Sequence, residues 1–375
     1  MKRVVIDRGE PRVEEAAEPG VEPGRVLVDV AWSMISPGTE LDWLDTTPRG
    51  LWWRVRHRSD GAGRAFRRLR SEGVARTFSF YRENETAPRP LGYSCAGVVR
   101  ELGEGVESLD VGMRVACVGA GYAVHAEVVS VPCNLVVPIP AGVSLRNASS
   151  VALGGIAVQA LRRADTRLGE SVVVIGLGLV GQLVAQVFHA AGARVIGVDP
   201  VSDRVERASR FLAHGVVESA DDAVERVAAL AGEAGIDVAV VATGKVAGVV
   251  QAASRMVRLH GRIVLVGEAA PEMDINPAWV KEIDLVVSRS FGPGYDEPEY
   301  EHGLDYPAGY VRWTLRRNLE AYLHLLEAGR MDAGLLVDRE VGLVDAAEAY
   351  AALRHAKPTP IGVLLRFPAA ERFEG

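Results

Sequence analysis

Between Ser171 and Pro200 the chain reads SVVVIGLGLVGQLVAQVFHAAGARVIGVDP, and no other stretch restricts the fold so tightly. An apolar run at 172–175 enters a turn in which Gly176, Gly178 and Gly181 stand in G-x-G-x-x-G spacing. A helix-like stretch follows, and a second apolar run at 195–198 ends on Asp199. Each glycine has a physical task. Gly176 permits the tight turn, Gly178 lets backbone approach a pyrophosphate, and Gly181 lets the helix pack close to the strand. Leu179 and Val180 open the helix, where unpaired N–H groups and the positive dipole end attract phosphate. Asp199 falls about 20 residues on, where an acid accepts hydrogen bonds from ribose hydroxyls and repels a 2′-phosphate. A lone glycine triplet is often only a loop. Strand, helix, second strand and acid in register predict a dinucleotide site, with NAD preferred to NADP.

The rest of the sequence sets the frame for that site. At 375 residues the chain has room for two domains of about 100–200 residues each. Hydrophobic content of 48% and charged content of 24% are those of an ordinary globular protein. The net charge of −7 argues against a nucleic-acid partner. No apolar run reaches the roughly 20 residues needed to cross a bilayer, so no membrane partner is expected. The N-terminus lacks a signal-like apolar core. Cys95, Cys117 and Cys133 make no disulfide framework for a chain this long, which predicts a reducing, cytoplasmic setting.

The first part is β-rich, with short β-branched runs at 26–32, 96–99 and 114–118 bounded by Gly, Pro and Glu. From about Asn147 helices and strands alternate. Helices are expected at 149–163, 204–214, 221–231 and 246–258, and strands at 237–242 and 262–266. The alternation predicts an α/β fold with a doubly wound parallel sheet beside the β-rich domain. After Phe291 an irregular stretch precedes two helices (310–328 and 345–355) and a last strand at 361–367. One segment departs from the average: Arg54, Arg56, Arg58, Arg64, Arg67, Arg68, Arg70 and Arg76 are interleaved with Trp52, Trp53, Phe66, Phe78, Phe80 and Tyr81. Contact with a phosphate or nucleotide and contact with nucleic acid are two readings of it; a solvated insertion over 44–88 whose arginines face the acidic surface is the plainer one.

Leu91-Gly-Tyr-Ser-Cys-Ala-Gly-Val-Val99 and Gly105-Val-Glu-Ser-Leu-Asp-Val-Gly-Met-Arg-Val115 match two segments of the medium-chain dehydrogenase/reductase superfamily, which the whole chain resembles. The resemblance implies a GroES-like catalytic domain over 1–146, a Rossmann domain over 147–290 and a return to the catalytic domain over 291–375. Zinc-dependent members hold a catalytic metal on Cys, His and Glu or Cys. Here the corresponding positions read Ser36 or Pro37, Tyr93, Ser94 and Val151, which lack thiolate, imidazole and carboxylate donors. The four-cysteine lobe for structural zinc is also missing, so no metal is expected. Ile35-Ser-Pro-Gly-Thr-Glu40, Gly119-Ala-Gly-Tyr122, Ser288-Arg-Ser-Phe-Gly-Pro-Gly-Tyr295 and Asp305-Tyr-Pro-Ala-Gly-Tyr-Val-Arg-Trp313 resemble a zinc-free branch tied to carbohydrate and natural-product chemistry. That likeness implies a sugar- or cyclitol-like substrate and, as in relatives, a homodimer.

Without a metal, a side chain must take the hydroxyl proton and donors must steady the alkoxide. Tyr93 stands at a former ligand position and is the first candidate, with a pocket-wall role as its alternative. Glu40 could hold substrate hydroxyls or orient a base; a buried salt bridge is equally open. His125 is a candidate because histidine is the side chain generally suited to proton shuttling; a packing role is its alternative. Tyr122, Tyr306, Tyr310 and Arg312, with His302, are substrate candidates on a lid over 291–313; a subunit contact is the other reading. For the cofactor, Arg204 could cover the adenine, while Thr243, Val266, Gly267 and Ser290 fall at strand ends where open sheets bind ligands. The leading reading is a zinc-independent, NAD-dependent oxidoreductase. The alternatives are an enone or quinone-type reductase and a dinucleotide-binding redox sensor without turnover.

Overall fold

The computed structural model describes residues 1–46, 88–267 and 272–374. The arginine- and aromatic-rich run, expected as an insertion over 44–88, lies outside the described residues apart from 44–46 and 88. The N-terminal part contains β1 (Lys2–Asp7), β2 (Glu10–Glu15), β3 (Arg25–Ile35), α1 (Pro37–Thr46), β4 (Arg89–Pro90), β5 (Ser94–Leu102), β6 (Arg114–Val118), β7 (Val128–Pro132) and β8 (Val136–Pro138). The alternating part contains α2 (Val151–Ala164), β9 (Ser171–Ile175), α3 (Leu179–Ala190), β10 (Arg194–Val198), α4 (Ser202–Ala208), β11 (His214–Val216), α5 (Val224–Ala231) and β12 (Ile236–Val241). It continues with α6 (Val249–Met256), β13 (Val257–Val266), α7 (Ile275–Val280) and β14 (Asp284–Ser288). The return contains α8 (Pro298–Glu301), α9 (Leu315–Glu327), β15 (Arg339–Gly342), α10 (Ala346–His355) and β16 (Val363–Arg366).

Two sheets carry the architecture. The alternating part forms a parallel sheet of order β11-β10-β9-β12-β13-β14. Val172, Val173, Val174 and Ile175 of β9 are buried, as a strand covered on both faces requires. Strand order reverses between β9 and β12, which leaves a crevice at the carboxyl ends. The register sets Ile175 beside Val198 and Val241, and Leu265 beside Val241 and Val287. Gly176, Asp199, Ala242, Val266 and Ser288 therefore leave the sheet at one level. The second sheet runs β15-β16-β3-β5-β6-β8, with β7 on β3. Its long strand β3 pairs antiparallel with β16, Ser33 against Leu365, so the end of the chain completes the N-terminal sheet.

Element boundaries differ from expectation in three places. The helix expected over 204–214 stops at Ala208 and gives way to a 3-10 turn and the unforeseen β11. A side chain at Gly215 would strike Val205 Cγ1 at 2.4 Å, so the glycine lets this edge strand lie against α4. The helix expected over 246–258 spans only α6, because Gly248 at φ 78° caps it and Val257 is already in β13. Tyr310 is outside α9, held in a turn by Tyr310 N–H to Pro307 C=O at 2.9 Å.

The two sheets are joined along α4. Arg204 donates to Thr359 C=O at 2.9 Å, and Arg207 to Leu335 C=O at 3.0 Å and to Asp338 at 2.5 Å. Arg210 pairs with Asp332 at 2.9 Å. Arginines spaced three apart thus face the C-terminal return from one side of the helix and its extension.

Candidate functional site

The nucleotide crevice is built mainly from backbone. Gly176 has φ 89°, and a Cβ there would meet Thr243 Cγ2 at 2.7 Å. A Cβ on Gly181 would lie 1.8 Å from Gly176 O, so α3 could not approach β9 with any larger residue. A Cβ on Gly178 meets nothing within 4 Å. Gly178 is also the N-cap of α3 and supplies no side-chain cap, which leaves the first-turn N–H groups for a ligand. Asp199 is buried; its carboxylate accepts from Leu177 N–H at 2.8 Å and from Val201 N–H at 2.9 Å. Those bonds tie the glycine turn to the end of β10. Arg204 reaches Asp199 at 3.5 Å, so its guanidinium is shared between that acid and Thr359. Gln182 fastens the same corner, donating to Leu177 C=O at 3.0 Å and Arg204 C=O at 2.8 Å.

At the far side of the crevice, Thr243 follows β12, Val266 and Gly267 end β13, and Ser290 follows β14 with φ 46°. The buried hydroxyls of Thr243 and of Ser288 have no protein partner. Ser288 was not singled out as a site residue, although it opens the Ser288–Tyr295 string. These strand-end groups, the glycine turn and Asp199 fit a dinucleotide laid across the switch point.

The second centre gathers on the catalytic sheet beside α1. Tyr93, 6% exposed, sits between β4 and β5. The Ser36 and Thr39 side chains at the start of α1 lie near enough to favour its ionised form. Burial foremost, with a lesser contribution from Glu40, outweighs them and pushes Tyr93 up to about 12. Tyr93 is therefore a phenol, a proton donor, throughout the neutral range. The Trp43 ring stands 6.0 Å from it. Thr39 and the Ser36 hydroxyl were not singled out as site residues, although both lie in the Ile35–Glu40 string.

Glu40 and His125 come together with Tyr93 in fully buried surroundings. His125 Nε2 lies 3.0 Å from Glu40 Oε2, and Nδ1 lies 2.6 Å from Ser33 Oγ. Glu40 Oε1 accepts from Ser36 N–H at 2.8 Å, and Tyr350 of α10 donates to Glu40 Oε2 in a very short hydrogen bond. Gly92 stacks its backbone on the imidazole: at φ 95°, a Cβ would strike His125 Nδ1 at 2.7 Å. Tyr350, 310 positions from Glu40 in the chain, could be found only from the topology.

The remaining candidates lie in other contacts. Tyr122 donates to Glu301 at 2.9 Å, fastening the 119–122 turn to α8. Burial first, then the Glu301 charge, raises Tyr122 to about 12. Tyr306 stacks on Tyr300 at 5.9 Å. Tyr310 is 92% exposed, and Arg312 lies over Trp313 at 4.3 Å rather than beside Tyr93. His302 is exposed. From the same stretch it is Tyr295, packed on Phe291 at 5.1 Å, that lies near enough to Tyr93 to influence its ionisation.

The described residues at the positions that the family resemblance assigns to a metal do not supply a zinc donor set. Ser36 and Tyr93 present neutral hydroxyls, and Pro37 presents no donor. Ser94 Oγ is spent on Ser149 C=O at 2.6 Å and Ala152 N–H at 3.1 Å. Among the described residues no group of three or more His, Cys, Asp or Glu side chains could hold a metal ion, whereas zinc sites are built from such donors.

Comparison with known proteins agrees with this architecture. The family model "Alcohol dehydrogenase GroES-like domain" matches residues 69–141, and the model "Zinc-binding dehydrogenase" matches 180–304. D-guloside 3-dehydrogenase of Escherichia coli is 30% identical over 267 residues, 69% of this chain and 72% of that protein. (R,R)-butanediol dehydrogenase of Bacillus subtilis is 27% identical over 363 residues, 90% of this chain and 91% of that one. The crystal structure of 2R,3R-butanediol dehydrogenase from Bacillus subtilis covers 97% of this chain and 99% of its own, with TM-score 0.72 at 24% identity. No described helix is long and apolar enough to cross a membrane. With its GroES-like and Rossmann sheets, its glycine turn and these relatives, the chain belongs to the medium-chain dehydrogenase/reductase superfamily and is an oxidoreductase.

Proposed function

We propose that the protein interconverts a secondary alcohol and a ketone on a polyhydroxylated, sugar- or cyclitol-like substrate, with NAD as cofactor and without catalytic zinc. The observation that carries this reading is the buried Tyr93, near Ser36 and Thr39 and beside Glu40, at a position that the family resemblance assigns to a metal ligand. Several relatives support the substrate class by name, among them D-guloside 3-dehydrogenase, (R,R)-butanediol dehydrogenase and "Probable D-xylulose reductase A". Asp199 supports NAD over NADP, since a buried carboxylate disfavours a second anion beside it.

Gly176, Gly178, Gly181, the start of α3 and Asp199 would hold the dinucleotide, with Thr243, Val266, Gly267 and Ser290 at its nicotinamide end. The nicotinamide supplies hydride exchange. Tyr93 does the proton work: in ketone reduction its phenol donates to the carbonyl oxygen, and in alcohol oxidation the ionised form takes the hydroxyl proton. The Ser36 and Thr39 hydroxyls hold the phenol oxygen and steady its charge when it ionises. Burial of Tyr93 makes donation the easier direction.

Incubation with NAD and a panel of polyols and sugars, followed by NADH absorbance, tests the reading. Formation of NADH with a polyol, with NADP inferior, is expected. NADPH consumption on conjugated enones with no polyol activity would replace it with the enone reductase, and tight NAD binding without any turnover with the redox sensor. The apolar side chains of Ile275, Trp279 and Val280 on α7, with Leu285 and Val287 on the open edge strand β14, support a homodimer through this face. Light scattering on the purified protein would read twice the monomer mass.

A further inference from the structure

The hydrogen bonds around Glu40 allow a proton count. Ser33 Oγ donates its single hydrogen to Ser94 C=O at 2.8 Å. Toward His125 Nδ1, 2.6 Å away, that oxygen can therefore only accept, so Nδ1 carries a hydrogen. Glu40 Oε1 accepts from Ser36 N–H, and Oε2 already accepts from Tyr350. One contact remains, His125 Nε2 to Glu40 Oε2 at 3.0 Å. Two lone pairs would repel at that distance, and two hydrogens have no room. One proton occupies the gap, whether it belongs to the imidazole or to the carboxyl.

We propose that Glu40 and His125 form a closed, net-neutral dyad sharing a single proton, and that Tyr350 is a positioning residue that holds this dyad beneath Tyr93. This deepens the reading of Tyr93 as the proton-handling residue and rests on it. The circuit runs from the Ser94 carbonyl through Ser33, His125 and Glu40 to Tyr350, and so clamps β3, the 119–126 turn, α1 and α10 together. Its output is the Ser36 N–H bond to Glu40, which fixes the first turn of α1 and with it the Ser36 and Thr39 side chains near Tyr93. Both members are fully buried and every hydrogen is committed, so neither exchanges protons with substrate. The titratable groups packed on the pair are Tyr350 from α10 and Tyr93 from the β4–β5 segment. Gly92, whose side chain would overlap the imidazole, keeps His125 in place.

The test uses the full-length enzyme with ¹⁵N-labelled histidine, the His125 signals being assigned from His125→Gln. The dyad requires a protonated Nδ1 facing Ser33 and a single proton shared across the Nε2–Glu40 contact. An unprotonated Nδ1 would overturn it. Tyr350→Phe should lower kcat about tenfold, the loss of one buried hydrogen bond to the dyad, with NAD affinity and KM unchanged. In the Tyr93→Phe background the same substitution should cost nothing more, because its effect runs through Tyr93. An undiminished cost there would overturn the positioning role. Full turnover in Tyr93→Phe alone would remove Tyr93 instead, while the histidine spectrum still decides the dyad.

Discussion

The two candidate sites of this molecule are built by opposite means. The nucleotide crevice is written in one stretch, 171–199, and its working parts are N–H groups, a helix end and three missing side chains. The centre around Tyr93 is gathered from β3, α1, the β4–β5 segment, the 119–126 turn and α10, and its working parts are side chains. Backbone recognition needs local conformation, which glycine spacing specifies directly. Side-chain recognition needs convergence, which only the packed fold supplies.

The sharpest way to break the contrast is to remove one atom from the side-chain centre. Tyr93→Phe should lower turnover by about 10²–10⁴, the usual worth of a positioned acid or base, with NAD affinity unchanged in a binding titration. A comparable loss of NAD affinity would mean that the two halves are not separate. Asp199→Ala is the converse cut. It removes the acceptor for Leu177 N–H and Val201 N–H as well as the proposed ribose contact. NAD binding should weaken by about 10–100-fold and discrimination against NADP should relax, while kcat at saturating NAD changes little. An unchanged cofactor preference would show that the acid only holds the turn.

A milder cut is Tyr122→Phe, which removes the bond to Glu301. About 1 kcal/mol of stability should go, seen as a lower denaturant midpoint, with kcat nearly intact. A large kcat loss would return Tyr122 to the reacting centre. Alkaline stability gives the smallest effect near neutral pH. Tyr93 and Tyr122 titrate near 12 in the fold against 10.0 unfolded. Between those values the unfolded chain has lost protons that the native state keeps, so stability falls as pH rises from about 10 to 12. Below 10 these tyrosines give no pH dependence. Denaturant midpoints across that window, with and without Tyr93→Phe, check the sign.

How much was legible follows the same division. The glycine turn, Asp199 and the βαβ alternation were readable because each depends on residues near in sequence. The edge strand β11 was not, since His214-Gly-Val216 has too few residues for a pattern and is extended only because α4 ends above it. Tyr93, Glu40 and His125 were nameable one by one, from a motif position and from chemistry. Their relation was not, because it depends on Ser33 and Tyr350, which stand in an ordinary strand and an ordinary amphipathic helix. Tyr310 and Arg312 illustrate the reverse: reactive residue types in an irregular stretch, which the structure leaves at the surface or on Trp313.

The central claim is that Tyr93, and not a metal, handles the proton. It is tested most directly by stripping the enzyme with a strong chelator, confirming the metal content, and measuring NAD-linked turnover of the wild type beside Tyr93→Phe. The account predicts full turnover in the stripped wild type and loss in the variant at any zinc level. Turnover that vanishes on stripping, returns with zinc and survives Tyr93→Phe would contradict it.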